Sequence, residues 1–205
     1  MSQIGTVTAS GPRWATVRRS TRETQITVTL KLDGTGETNI DTGVGFYDHL
    51  LGSMAHHALF DLTIAATGDL VIDEHHTVED VALVLGASLA QALGDRSGIA
   101  RFGDAAVPMD ESVATAVVDV GGRPYAIVDL PFKGKRAGKL PLELVEHTLE
   151  SFARAGGVTL NLKGRGRNDH HLAEAAFKAL GRALCVAVTV DPRRQGVAST
   201  KGSLG

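Results

Sequence analysis

Two rhythms of apolar and polar residues alternate along the chain. Residues 15–19 and 24–32 place them at every second position, with frequent β-branched side chains in Gln25-Ile26-Thr27-Val28-Thr29-Leu30, and predict strands. Asp33-Gly34-Thr35-Gly36 then turns the chain. Over 44–59 a helix carries Phe46, Leu50, Leu51 and Met54, with His49 on it, and a strand over 61–67 ends at Gly68-Asp69. Val78, Val81, Ala82, Leu85 and Leu89 next recur at the i, i+3, i+4 spacing of a helix that buries one face, stopped by Gly94 and Gly98. The second half retells this order with little resemblance in the residues between. Strands are predicted over 112–120 and 124–130, a basic loop over 131–138, a helix over 141–154 bearing His147, a strand over 158–162, and a last helix over 169–188. The stripe of that last helix, Leu172, Ala175, Ala176, Ala179 and Ala183, is small enough to let backbones approach closely.

Both halves therefore read β-β-α-β-α, and internal duplication is the simplest account. The expected fold is α+β, with two sheets and the helices packed between them. It divides into an N-terminal tail (1–14), a first half-domain (15–100), a second (101–190) and a C-terminal segment (191–205).

Composition narrows the function. A chain of 205 residues with 43% hydrophobic content has ample length for a core. A net charge of -2 and a pI near 6.4 give no footprint for nucleic acid or an anionic membrane, so any bound anion must be met by local arginines and lysines. Cys185 is the one cysteine; it lies in an apolar run that predicts a small buried thiol, and no disulfide can form within the chain. No segment approaches the ~20 apolar residues of a membrane span and the first residues lack a signal-like apolar run, so the expected location is the cytoplasm.

Two short stretches carry the chemistry: Asp73-Glu74-His75-His76-Thr77-Val78-Glu79 and Asn168-Asp169-His170-His171-Leu172-Ala173-Glu174. In each, a capping residue is followed two positions later by paired histidines, and a glutamate stands four after the first histidine. Positions i and i+4 share one helix face about one turn apart, so His75 with Glu79 and His170 with Glu174 can each chelate an ion. The second histidine of each pair is rotated by roughly 100° and should address a different ion. A lone pair of this kind is most often a solvated helix start, but here it is doubled, and His49 and His147 stand at matching places upstream. Pseudo-two-fold symmetry then gives one site from His75, Glu79, His147 and His171, and its mirror from His170, Glu174, His49 and His76. Nitrogen and oxygen ligands without sulfur suit manganese, iron or zinc, and the sequence does not choose among them. His56 and His57 have no counterparts in the second half and read as ordinary surface or structural residues.

Basic residues supply a second clue. Arg101 and Arg123 stand in loops, Lys178 lies four after Glu174 on its helix face, and Ser199-Thr200-Lys201 places hydroxyls beside a lysine. Each alone is ordinary surface; together they are the donors a phosphate requires.

Phe46-Tyr47-Asp48-His49-Leu50-Leu51, the two His-His stretches, Arg101-Phe102-Gly103-Asp104, Gly122-Arg123-Pro124-Tyr125, Val145-Glu146-His147, Phe177-Lys178-Ala179, and Asp191-Pro192-Arg193-Arg194 through Ser199-Thr200-Lys201-Gly202 occur in this order. Over residues 23–201 this series resembles the imidazoleglycerol-phosphate dehydratase family of histidine biosynthesis. The resemblance implies a lyase with two Mn2+ per subunit that removes water from D-erythro-imidazoleglycerol phosphate to give imidazole acetol phosphate. It also implies a shell of twenty-four subunits with metals at subunit contacts, and a substrate-facing glutamate at Glu23. A glutamate is the expected proton carrier, which leaves Glu23, Glu79 and Glu174 as catalytic candidates. Arg101, Arg123, Lys178, Ser199 and Lys201 are the expected phosphate contacts. Two rivals use similar residues, a dinuclear metallohydrolase and a metal-storage shell. The first would release inorganic phosphate, and the second has no need of the arginines.

Overall fold

The computed structural model describes residues 13–204. The first half contains β1 (Trp14–Ser20), β2 (Thr24–Lys31), β3 (Thr38–Asp41), α1 (Gly45–Ala58), β4 (Asp61–Gly68) and α2 (His75–Leu93). The second contains β5 (Phe102–Met109), β6 (Ser112–Asp119), β7 (Tyr125–Asp129), the short pair β8 (Arg136–Ala137) and β9 (Leu140–Pro141), α3 (Glu143–Gly156), β10 (Thr159–Arg165) and α4 (Asp169–Val188). The α+β class and the repeat hold, but the four-stranded sheet of each half has one strand more than the β-β-α-β-α reading, and the second half adds the small β8-β9 pair. Most of the expected tail, residues 1–12, lies outside the described residues, while Trp14 already pairs with Lys31 in β1.

The added strands sit at different places in the two halves. In the first it is β3, short, polar and mostly exposed, at the edge of the order β1-β2-β4-β3. In the second it is β5, at the edge of β5-β6-β10-β7, where Gly103 and Pro108 break the apolar rhythm. Pro108 is tolerated because an edge strand needs only one ladder of hydrogen bonds. In both sheets the last-ordered strand runs parallel to its neighbour (β3 with β4, β7 with β10), and a helix, α1 or α3, makes the crossover that parallel pairing demands.

Strand alternation faces each sheet toward the helices. Ile26, Val28 and Leu30 of β2 and Ala114, Ala116 and Val118 of β6 are buried, and the residues between them face away. α2 lies over β1 and β2, α4 over β5 and β6, and the helices meet across the middle as α2 on α3 and α1 on α4. The helix pairs therefore join first half to second, and one hydrophobic core spans both. Gly86 and Gly181, each eleven residues after the first histidine of its pair, permit the crossings. A Cβ on Gly86 would strike the Phe152 carbonyl, and one on Gly181 the Met54 carbonyl. Cys185 is half-buried rather than buried, being near the outer side of the α4 C-terminal turns.

A candidate dinuclear metal site

Both His-His stretches open their helices, with Asn168 at the cap position of α4 as expected but Asp73 one residue before that of α2, which is Glu74. Asp73 accepts from the His75 amide at 2.8 Å, and Asn168 accepts from the amides of His170 (3.0 Å) and His171 (3.4 Å). Because α1 packs on α4, His49 meets His170 and Glu174; because α2 packs on α3, His147 meets His75 and Glu79. In each trio the ligand atoms lie within 4.8 Å of one another. His49 and His170 approach the same Glu174 oxygen through Nε2, at 3.0 and 3.3 Å. His147 Nε2 is 3.4 Å and His75 Nε2 3.9 Å from Glu79 oxygens. His147 Nε2 is buried and, out of alignment with Glu79, has no hydrogen-bond partner among the described residues. An unpartnered buried nitrogen inside a trio of ligand types fits a divalent cation.

Cations accompany both carboxylates. Lys178 Nζ lies 2.7 Å from Glu174, and an Arg154 nitrogen 3.3 Å from Glu79. Burial acts to raise the Glu174 pKa, but hydrogen bonds from Lys178 and His49 prevail and hold it down at about 2. Lys178, expected as a phosphate contact, thus stands on the metal-facing side of its helix beside Glu174, apart from the other expected phosphate residues of its own chain.

The fourth ligand expected for each site is absent from the trio. Helix rotation turns His76 and His171 from the trio that holds their adjacent histidine, as expected, but neither reaches the opposite trio where it was expected, so one chain gathers three groups at each place rather than four. His76 Nδ1 meets Asp69 at 3.0 Å, and His171 Nδ1 meets Glu111 at 2.9 Å. These carboxylates raise the pKa of both histidines, and His171, with the amides of Arg167 and Asn168, pulls that of Glu111 far down. Glu23, whose side chain is 56% exposed, has its nearest charged neighbour in His76 Nδ1 at 3.9 Å. His56 and His57 lie in the last turn of α1, outside both trios.

At the far end of the helices, Arg101, Arg123, Ser199 and Lys201 line one cavity of about 320 Å³. Arg101 is fixed by two bonds to Asp119 (2.7 and 2.8 Å) and ties down the C-terminal segment through the Ala198 carbonyl at 2.6 Å. The side chains of Arg123 and Lys201 form no ion pair among the described residues, which leaves their charge for a ligand. Sequence reasoning missed Asp69, Glu111, Asp119 and Arg154. Only Glu111 had a signal, since it precedes β6 just as Glu23 precedes β2.

A family profile described as imidazoleglycerol-phosphate dehydratase matches residues 42–184. The imidazoleglycerol-phosphate dehydratase of Methanoculleus marisnigri is 52% identical over 192 residues, covering 94% of this chain and 100% of the relative. That of Chloroflexus aurantiacus is 50% identical over the full length of both. Among solved structures, the enzyme from Pyrococcus furiosus in complex with (S)-C348 superposes with a TM-score of 0.79 at 37% identity, covering 92% of this chain and 100% of that one. The Staphylococcus aureus enzyme gives 0.79 at 34%, covering 87% and 99%.

Proposed function

The chain belongs to the imidazoleglycerol-phosphate dehydratase family, hydro-lyases of histidine biosynthesis, and we propose that it carries out this dehydration with two Mn2+ ions per chain, acting in the cytoplasm as a homo-oligomer. The observation that carries the metal reading is the pair of histidine-carboxylate trios, one of them holding the orphaned His147 Nε2. His49, His170 and Glu174 would hold one ion and His75, Glu79 and His147 the other, with His76 and His171 completing the sites of neighbouring chains. Such ions would supply Lewis acidity to the imidazole ring, which the reaction needs because the carbon that gives up its proton, one removed from the ring, has no carbonyl beside it to take up charge.

The remaining work falls to side chains. Arg123 and Lys201, with the Ser199 hydroxyl, grip the phosphate, and Arg101 holds their segment in place. Glu79 and Glu174 are engaged as ligands, each already beside a cation. Glu23 is the carboxylate left unencumbered near a metal-facing histidine, and we assign it the proton transfer. The hydroxyl leaves from the carbon attached to the ring as water, the proton comes from the next carbon along the side chain, and the enol that results, with its OH on that second carbon, tautomerises to the ketone.

Distance supports the oligomer. Arg101 N bonds to Ala187 O near the C-terminus of α4, while His170 opens that helix. Seventeen residues separate His170 from Ala187, about 25 Å of helix, far more than a small phosphorylated imidazole spans. This distance supports a catalytic site whose metal end and phosphate end come from different chains, as in the expected shell of twenty-four subunits. No described helix is long and apolar enough to cross a membrane.

Incubating Mn2+-loaded protein with imidazoleglycerol phosphate tests the assignment. Ketone should form without inorganic phosphate, and inorganic phosphate should compete with substrate. Release of phosphate would support a hydrolase instead, and neither product would support storage.

A further inference from the structure

We propose that Asp69 and Glu111 are positioning residues that fix His76 and His171 in the tautomer with the proton on Nδ1, so that both present a bare Nε2 as a metal ligand. The inference rests on the metal reading above. The four histidines within the trios face their carboxylates through Nε2. They converge in pairs on the carboxylate of their own trio, and that convergence orients them. His76 and His171 have no such centre in their own chain. Each instead has its Nδ1 against a carboxylate, and neither Nε2 has a hydrogen-bond partner among the described residues. An ionised carboxylate only accepts, so the neutral ring facing it must carry its proton on Nδ1 and its lone pair on Nε2. All six histidines then offer the same nitrogen.

The two carboxylates come from unlike places, Asp69 after β4 and Glu111 between β5 and β6, and they are held differently. Glu111 Oε1 accepts from the Arg167 and Asn168 amides (3.0 and 2.7 Å) and the Ser112 hydroxyl (3.0 Å), which leaves Oε2 to His171 alone. Asp69 presents both oxygens to His76 Nδ1, at 3.0 and 3.3 Å, with no other donor on its side chain among the described residues.

This difference gives an asymmetric test. In Glu111→Gln the backbone amides keep the side-chain oxygen, so the new NH2 must face His171 Nδ1. That donor forces the imidazole proton onto Nε2 and removes the ligand lone pair. In Asp69→Asn the amide is free to turn its oxygen to His76 and preserve the tautomer. Mn2+ titration of the intact metal-free protein, read by the electron paramagnetic resonance of free Mn2+, should show one of two ions weakened by about 10–100-fold in Glu111→Gln and in Asp69→Ala, the range typical of outer-shell changes. Asp69→Asn should stay within about 10-fold of the parent chain, on the same scale. Melting of the metal-free Glu111→Gln protein should be unchanged, which separates tautomer control from a structural role. Parental affinity for both ions in Glu111→Gln, while His171→Ala loses one, would overturn the proposal. Parental affinity in His171→Ala would instead remove the metal reading beneath it. If Glu111→Gln melts early, Asp69→Ala and Asp69→Asn decide, and equal affinities there overturn the inference.

Discussion

The two trios have the same plan but not the same surroundings. Each takes an i, i+4 pair from the start of one helix and a histidine from a helix of the other half. Around Glu174 the group is contracted: its side chain is 9% exposed, both histidines lie within 3.3 Å, and Lys178 is supplied by the same helix. Around Glu79 it is looser: the side chain is 30% exposed, the histidines stand at 3.4 and 3.9 Å, and the cation, Arg154, comes from α3 and is itself mostly exposed. The position four after Glu79 is Leu83, so a second Lys178 has no place in α2. Duplication thus accounts for the ligands, whereas the balancing charge differs between the halves. The α4 trio should be the better organised before metal arrives.

The largest effect that sharpens this contrast is loss of a ligand. His170→Ala and His75→Ala should each abolish one ion and lower kcat by more than the roughly 10–100-fold of an outer-shell change, with metal analysis falling from two ions to one. A variant that keeps both ions would break the symmetry of the two trios. Close crossings come next: Gly86→Ala and Gly181→Ala place a Cβ against a backbone carbonyl, and each should destabilise the fold by at least about 1–3 kcal/mol in denaturant unfolding. Equal penalties would mean that the two crossings are mechanically equivalent.

The cations should then separate the halves. In metal-free protein, Lys178→Met leaves a buried Glu174 charge and should cost more than Arg154→Met, which removes a pair screened by solvent and worth about 0–1 kcal/mol. Similar losses in urea unfolding would contradict the difference in organisation. The smallest effect concerns what joins the trios. Tyr47 is buried, donates to the Val78 carbonyl at 3.2 Å and accepts from the Thr148 hydroxyl at 3.0 Å, linking residues adjacent to Glu79 and His147. Tyr47→Phe should cost about 1 kcal/mol, seen as a small downward shift of the melting temperature.

What was legible in the sequence was local. The i, i+4 pairs, their caps and the helix stripes obey short-range periodicity, and doubling separated them from chance. Edge strands escaped because they bury little: Thr38–Asp41 is polar, and Gly103 and Pro108 interrupt β5. For Lys178 the helix face shared with Glu174 was legible, but its separation from Arg101, Arg123, Ser199 and Lys201 within the chain was not. Asp69 and Glu111 act on histidines 7 and 60 positions away, across turns whose geometry no periodicity encodes. The grouping of His147 with His75 and Glu79, and of His49 with His170 and Glu174, followed from the doubling, but that His76 and His171 would miss the opposite trios as well as their own emerged only from the packing of α2 on α3 and α1 on α4.

The central claim is that each chain builds two three-group metal sites, each completed by a histidine of a neighbour. Anomalous diffraction from Mn2+-loaded crystals tests it most directly. The account predicts two peaks per chain, one among His49, His170 and Glu174 and one among His75, Glu79 and His147, each also touched by Nε2 of a neighbouring chain's second paired histidine. A single peak, or two peaks with no histidine from another chain, would contradict it.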